Sequence, residues 1–353
     1  MTPSSKTHVE WFEDIRIDSR PTVGGKGASL GELTHAGIRV PPGFVVTTGA
    51  FEASLAALDR DGAIRRAVSA LDGKDLVHVG HVTLGIRERI ERAPLPAEIE
   101  RSIVDAHKRL CEADGSAPVA VRSSATSEDS AAASFAGLQD TLLWVRGAAA
   151  VIAALRACWA SLYSVESVSY RLRLGLPESQ VAMGVVIQRM VDSRSSGVMF
   201  TRSPTTGDPS VIAIEGSWGL GSAIVSGAVT PDKFVVSKVT GDIVTRTVVA
   251  KHIEHVPETP QGVRTLDVAA ERQSLPCLSD AEIGELVELG KRVERHYGAA
   301  QDIEWAVDRA GTTYLLQSRP ETVWSAREVK PLAAPRQNPF DHVLAALSGK
   351  PRA

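Results

Sequence analysis

The amino-acid sequence predicts a mixed α+β protein with room for two domains. Helix-like and strand-like segments interleave without strict βαβ alternation, which favours α+β over a single doubly wound sheet. The chain has 353 residues, enough for roughly two domains of ordinary size. Near its end, QDIEWAVDRAGTTYLLQSRP (residues 301–320) reads as a β-hairpin whose polar groups recur two residues apart.

A polar arm opens the chain and ends near Arg20. The segment TVGGKGASLGELTHAGIRVPPGFVVTTGAFEASL then reads as loop, helix, loop, strand and helix. Ala28–Ala36 has helical character, Gly37 is placed to end it, and Pro41 and Pro42 forbid continuation. GFVVTT has the composition of a buried strand, and residues 51–112 are mostly amphipathic helix. APVAV is a short apolar strand running into the hydroxyl-rich turn RSSATSED, and SFAGLQDTLLWV is loop then strand. Residues 148–174 are helical, with Trp159, Leu162 and Tyr163 as core. VAMGVVIQRMV and SGVMFTRSP are strands around a polar turn. VIAIEGSWGLGSAIVSGAVTPDKFVVSK is strand, Gly-rich loop and strand. SDAEIGELVELGKRVERHYG is an amphipathic helix with Ser279 or Asp280 as N-cap and Gly298 as C-cap. Beyond Pro320, REVKPLAAPRQNP reads as a linker. FDHVLAALSGK reads as one short helix, with Phe340, Val343, Leu344 and Leu347 as its apolar, partner-facing side.

Composition narrows the function classes. A hydrophobic fraction of 43%, a charged fraction of 23% and a net charge of -3 are ordinary for a soluble globular protein. They give no reason to expect nucleic acid or a membrane surface as partner. The three cysteines, Cys111, Cys158 and Cys277, form no CxxC pair and no metal-ligand spacing, so reduced thiols are expected. No apolar stretch approaches the roughly 20 residues that cross a bilayer, and the first residues lack a signal-peptide pattern. The expected location is the cytoplasm.

The hairpin carries the chemistry. With a four-residue loop, Arg309–Thr312, Asp308 opposes Thr313, Glu304 opposes Gln317 and Asp302 opposes Arg319. Opposed residues of an antiparallel pair share a side. Asp302, Glu304, Gln317 and Arg319 therefore converge on one patch, and Ile303, Trp305, Leu316 and Ser318 form a mostly apolar set behind it. A solvated face with a cross-strand salt bridge would show the same spacing. Carboxylate and amide oxygens also suit Mg2+, which takes few protein ligands and fills its shell with phosphate and water. Arg319 would meet phosphate through its planar fork.

Other segments suit phosphate. GGKG offers flexible backbone and the Lys26 ammonium, although it is not a Walker A loop, because Arg20 stands where that motif needs glycine. GSWGLGSAIVSG fails the dinucleotide pattern. In VRSSATSEDS, Arg122 leaves an apolar strand into a run of hydroxyls and free amides, a form that can nest an anion. Lys26, Arg122 and Arg319, a metal patch and a Gly-rich lid together point to a nucleoside triphosphate with Mg2+.

VGGKGASLGEL, GIRVPPGFVVT, VAVRSSATSEDS, SFAGLQDT, SGVMFTRSP, GAVTPDKFVV and QDIEWAVD…YLLQSRPET, in this order, resemble one family. It is the nucleotide-binding domain of phosphoenolpyruvate synthase, pyruvate phosphate dikinase and rifampicin phosphotransferase, and the likeness runs from Val23 to Thr322. It implies an ATP-grasp fold of two α+β lobes, here 1–187 and 188–324, with ATP between them and a linker-like tail at 325–353. By this resemblance Lys26 and Arg122 hold phosphates, and Gly137 and Thr141 belong to the phosphate-side loop. Gln188, Arg189 and Met190 form the hinge strand that meets adenine, largely through backbone. Glu304 and Gln317 bind Mg2+, with Asp302 nearby and Arg319 on the phosphates. Lys26, Arg122 and Arg319 are then the catalytic cations. Two positions depart from the family pattern: Ser222 stands where Glu is frequent, and Leu138 where a polar residue is usual.

Full-length members of that family also carry a phosphorylated His in a Gly-rich Thr/Ser/Cys-His-Ala context and an acceptor-binding domain. None of the nine histidines here has that context. The chain therefore resembles the separate ATP-binding subunit of a split enzyme, as in phenylphosphate synthase. The resemblance implies phosphorylation of a partner chain's histidine with release of AMP and phosphate, then transfer to a small acceptor such as phenol or pyruvate. A carboxylate–amine ligase of the ATP-grasp class, which yields ADP, and a non-catalytic ATP-binding module are the alternatives.

Overall fold

The computed structural model describes residues 7–112, 117–126, 129–130, 133–134, 141–258, 260–322 and 324. In chain order the first part runs β1 (Val9–Trp11), α1 (Arg20–His35), β2 (Gly43–Val46), α2 (Thr48–Leu58), α3 (Ala63–Ser69), α4 (Leu76–Arg92), α5 (Ala97–Cys111), β3 (Val119–Ala125), β4 (Asp129–Ser130), β5 (Ala133–Ser134), β6 (Thr141–Val145), α6 (Ala148–Ser161), α7 (Val165–Leu174) and β7 (Met183–Arg189). The second runs β8 (Ser193–Phe200), β9 (Val211–Trp218), α8 (Ser222–Val225), β10 (Asp232–Ser237), β11 (Ile243–Thr247), β12 (Ile253–Pro257), β13 (Val263–Asp267), α9 (Ala270–Gln273), α10 (Asp280–Tyr297), β14 (Gln301–Asp308) and β15 (Thr313–Pro320). Met1–Glu321 is one compact unit; of the second, Thr322–Ala353, only Thr322 and Trp324 are described, so the expected tail helix lies outside the described residues.

The expected α+β class is what forms, as two antiparallel sheets. The first has the order β1-β2-β7-β3-β6. Its strands alternate between two cores. Phe44, Val46, Val119, Val121, Val185 and Ile187 face the helices around Phe51 and Trp159, whereas Val45 and Val186 face Val23, Ala28 and Leu30 of α1. Burial on both sides is why β2 and β7 read as continuous apolar runs. The second sheet has the order β11-β10-β9-β8-β14-β15. One face packs on α10, where Ile303, Trp305, Val307, Phe234, Ile214, Ile283 and Leu286 form a core. Helix α10 begins on a Ser279–Glu282 capping box and ends on Gly298 at φ 66, as its sequence predicts. Trp305 fits because Gly197 and Gly216 lie under it: a Cβ there would stand 2.7 and 2.9 Å from its ring.

The chain passes between sheets across residues 190–192, so the lobe boundary expected at 187/188 falls inside β7. Residues 51–112 form four helices, and 148–174 form two, the latter divided where Ser164 caps α7. Strands β11 and β13 were not expected; four of the five residues in each are exposed, which leaves no period-two signal. Among the described residues no single helix is long and apolar enough to cross a membrane.

Helix α1 starts at Arg20, eight residues before the expected Ala28, and includes GGKG. Pro21 suits a first turn, and Gly24, at φ 74, kinks the chain. The kink presses GGKG onto β3. Ser124 Oγ donates to the Val23 carbonyl at 2.8 Å and accepts from the Gly27 N–H at 3.0 Å. A Cβ on Gly24 would lie 1.9 Å from the Ser124 carbonyl oxygen. Gly24→Ala is therefore expected to destabilise the protein by more than about 1 kcal/mol. Gly85→Ala, in mid-helix with nothing within 4 Å of the new Cβ, should stabilise it by about 0.5–1 kcal/mol. Thermal unfolding of both variants checks the contrast; equal shifts would remove the close-approach account of GGKG.

Candidate active site

At its polar end the hairpin takes the expected register: Asp302 opposes Arg319 and Glu304 opposes Gln317. Toward the turn it does not. Val307 rather than Asp308 opposes Thr313, because Asp308 turns into the loop, its carboxylate accepting from the Ala310 and Thr312 amides at 2.9 and 2.8 Å. A bulge between Glu304 and Trp305 absorbs the one-residue difference and leaves Leu316 unopposed. Leu315, not Leu316, consequently joins Ile303 and Trp305 in the core. Disrupting the ladder at this point changes where a carbonyl is directed.

The Leu316 carbonyl accepts from Arg122. This arginine, on β3 of the first sheet and 9% exposed, reaches across to the hairpin of the second. Its Nη1 donates to Leu316 O at 3.1 Å, and its Nη2 donates to Glu304 Oε2 at 2.6 Å and Gln317 Oε1 at 2.7 Å. Among the described residues its buried Nε has no acceptor. Thr141 directly opposes Arg122 in the β3–β6 ladder, and therefore shares its side of the first sheet. Gly137 lies outside the described residues, as does Leu138.

Lys26 joins this group from α1. Burial raises the Glu304 carboxyl, but the adjacent Arg122, its hydrogen bond, Lys26 and Arg319 outweigh burial and hold it below its ordinary value. Asp302 moves the opposite way. Burial is the main cause, Arg319 opposes it, and Glu304 and Glu321 add to the rise. Arg319 contacts Asp302 through Nε at 2.8 Å and Nη2 at 2.6 Å, both to Oδ2. Two neighbouring carboxyls thus shift in opposite directions, Glu304 down and Asp302 up. Glu321, 9% exposed, was not among the predicted site residues. It follows Pro320 just past the strand, where alternation no longer indicates direction.

Gln188 and Arg189 end β7, and Met190 follows. Their polar groups have protein partners: Gln188 Nε2 donates to Pro41 O at 3.3 Å, Arg189 N–H to Pro42 O at 2.9 Å and Met190 N–H to Pro118 O at 2.9 Å. Expected backbone donors for a base are therefore already engaged by two flanking loops. The Gly-rich loop after β9 is also anchored. Ser196 Oγ donates to Gly219 O at 2.6 Å, and Ser222 Oγ lies 2.8 Å from His255 Nδ1.

Among the described residues no cluster of three or more His, Cys, Asp or Glu side chains is built for a metal. Mg2+ requires less, one or two carboxylates with phosphate and water. Glu304 Oε2 and Gln317 Oε1 already converge on a single positive nitrogen, so this oxygen pair fits a small hard cation. The planar fork of Arg122 beside it suits phosphate oxygens.

Residues 20–338 match the family described as pyruvate phosphate dikinase, AMP/ATP-binding domain. A probable phosphoenolpyruvate synthase of Methanothermobacter thermautotrophicus is 43% identical over 317 residues, covering 89% of this chain and 46% of its own. The phosphoenolpyruvate synthase of Pyrococcus furiosus is 39% identical over 355 residues, covering 89% and 44%. A rifampicin phosphotransferase of a Streptomyces species is 42% identical over 312 residues, covering 88% and 35%. The chain thus spans less than half the length of these curated relatives. A solved D-alanyl-alanine synthetase A from Vibrio cholerae overlaps 62% of this chain and 45% of its own at 12% identity, with a TM-score of 0.24, too slight a likeness to bear on the site. The family match and the two α+β lobes, each on its own antiparallel sheet, give the two-lobed ATP-grasp fold.

The Glu304 shift has a consequence for stability. Its folded pKa lies below the ordinary 4.5, so the ionised group stabilises the fold above the carboxylate range. That contribution is lost as pH falls through the folded pKa. Denaturant unfolding of wild type and Glu304→Gln should differ by a constant amount above about pH 5, with the difference shrinking at lower pH. Parallel curves down to about pH 3 would show that Arg122 does not hold this carboxylate.

Proposed function

The chain belongs to the pyruvate phosphate dikinase AMP/ATP-binding domain family, and from that premise we propose that it is the ATP-binding part of a dikinase-type phosphotransferase. The single observation that carries this is the Arg122 guanidinium, which meets Glu304 and Gln317 across the cleft with Lys26 and Arg319 close enough to influence the same carboxylate. Three cationic side chains gathered around one carboxylate supply the donors that phosphate oxygens accept from.

In this reading Arg122 and Lys26 take phosphate oxygens, and Arg319 takes a further one in place of part of its contact with Asp302. Thr141 and Gly137 close the phosphate side. Gln188, Arg189 and Met190 border the adenine. Glu304 and Gln317 hold Mg2+, which when bound neutralises charge on the phosphate oxygens, and Asp302 stands beside it. The contribution of this chain is positioning and electrostatic stabilisation, as is general for phosphoryl transfer. The histidine that receives the pyrophosphoryl group lies on a partner chain. Its nitrogen attacks the β-phosphorus, the bond to the α-phosphate oxygen breaks and AMP leaves. Water then releases phosphate, and the remaining phosphoryl passes to an acceptor such as phenol or pyruvate. The curated relatives are about twice the length of this chain.

A test is incubation with ATP labelled at the β-phosphorus, alone and with the product of an adjacent reading frame carrying a Gly-rich Thr/Ser-His-Ala segment. Label should reach the partner's histidine, with AMP formed, only in the mixture. Lys26→Ala and Glu304→Ala should lower the rate by roughly 100-fold or more. ADP as the product would favour the ligase alternative, and stable labelling of this chain alone would remove the partner.

A further inference from the structure

The cleft face of the second sheet continues beyond the hairpin. Gln317 opposes Glu304, Glu304 opposes Val198, Val198 opposes Glu215, and Glu215 opposes Lys233. Directly opposed residues share a face, so Glu215 points to the same side as Glu304. Gly197 and Gly216 lie on the other side, beneath Trp305. Two strand spacings, about 9.5 Å, separate Glu215 from Glu304, and half-buried Val198 lies between them. The Glu215 side chain is 26% exposed and pairs with Lys233 at 3.5 Å. Two positions along β9 on the same face, the buried Ser217 Oγ has no hydrogen-bond partner among the described residues. The Gly-rich loop begins at the end of this row, held by Ser196.

We propose that Glu215 receives the ribose of the nucleotide, accepting hydrogen bonds from its 2′ and 3′ hydroxyls; this rests on the ATP reading above. A carboxylate two strands from the cationic centre repels phosphate, so it does not extend the phosphate site. Its two oxygens are acceptors only, and a vicinal diol offers two donors at matching separation. The base is assigned to the strand end at Gln188–Met190 and the phosphates to the cations around Glu304; Glu215 stands level with Glu304 across Val198, so the sugar is the part of the molecule that remains for this stretch of the floor. Val198 supplies an apolar surface under the sugar ring, and Lys233 lies beside the Glu215 carboxylate at 3.5 Å.

Calorimetric affinities for ATP, 2′-deoxyATP and 3′-deoxyATP with Mg2+ test the assignment. Wild type should bind ATP roughly tenfold or more tightly than either deoxy analogue, the expected effect of losing a hydrogen bond to a charged group. Glu215→Gln should bring ATP close to the analogues while leaving their affinities nearly unchanged. Lys233→Ala, which removes the same ion pair, should keep the preference for ATP. A purely structural Glu215 would instead weaken all three nucleotides together in Glu215→Gln and act alike in Lys233→Ala, and that result overturns the proposal. Should Glu215→Gln fail to fold, the wild-type comparison still decides: ATP binding without discrimination among the three overturns the ribose assignment alone. No binding of any nucleotide would overturn the ATP reading and this assignment with it.

Discussion

The cleft depends on one guanidinium that leaves the first sheet and ends among groups of the second. Arg122 contacts a carboxylate, an amide oxygen and a backbone carbonyl, all on the β14–β15 hairpin. A planar group with fixed donor directions can satisfy these acceptors together, which an ammonium cannot. Desolvating such a pair cancels much of its Coulombic gain, so it adds little net stability, yet loss of either member strands a buried charge. The bulge between Glu304 and Trp305 belongs to the same constraint. Without it Leu316 would be paired in the ladder and the third acceptor would be lost.

Helix α1 determines how closely the two sheets approach that guanidinium. Its small residues let backbone meet backbone. A Cβ on Gly184 would stand 2.7 Å from the Val23 carbonyl oxygen, and Ser29 Oγ reaches Ser318 O on β15 at 2.6 Å. Helix α1 therefore bonds to both sheets, and Lys26 is carried on the segment between those contacts. The result is a site in which adjacent carboxyls are driven apart in acidity. Glu304 is held ionised by three cations, whereas Asp302 is raised chiefly by burial.

Much of this arrangement was legible in the residues. Period two along β14 and β15 placed Asp302, Glu304, Gln317 and Arg319 on one face, and the caps of α10 followed from Ser279, Glu282 and Gly298. The bulge was not legible, because Leu315 and Leu316 are chemically equivalent candidates for the core and Asp308's carboxylate, capturing two loop amides, decides between them. GGKG resembled a loose loop because glycine is a poor helix former. The partner that orders it, Ser124, lies 97 positions away from Gly27. The link from Arg122 to Glu304 spans 182 positions, and no local pattern encodes a contact at that distance. The β11 and β13 strands carry no such signal, because four of the five residues in each are exposed and alternation is absent.

The central proposal is that Glu304 and Gln317, which meet Arg122 in this structure, hold Mg2+ while Arg122 meets phosphate. A crystal structure with Mg2+ and a non-hydrolysable ATP analogue measures this directly. The account predicts a metal ion on Glu304 Oε and Gln317 Oε1, with the Arg122 guanidinium on phosphate oxygens. A complex in which Arg122 still bonds Glu304 and Gln317, with metal and phosphates bound elsewhere, would contradict it.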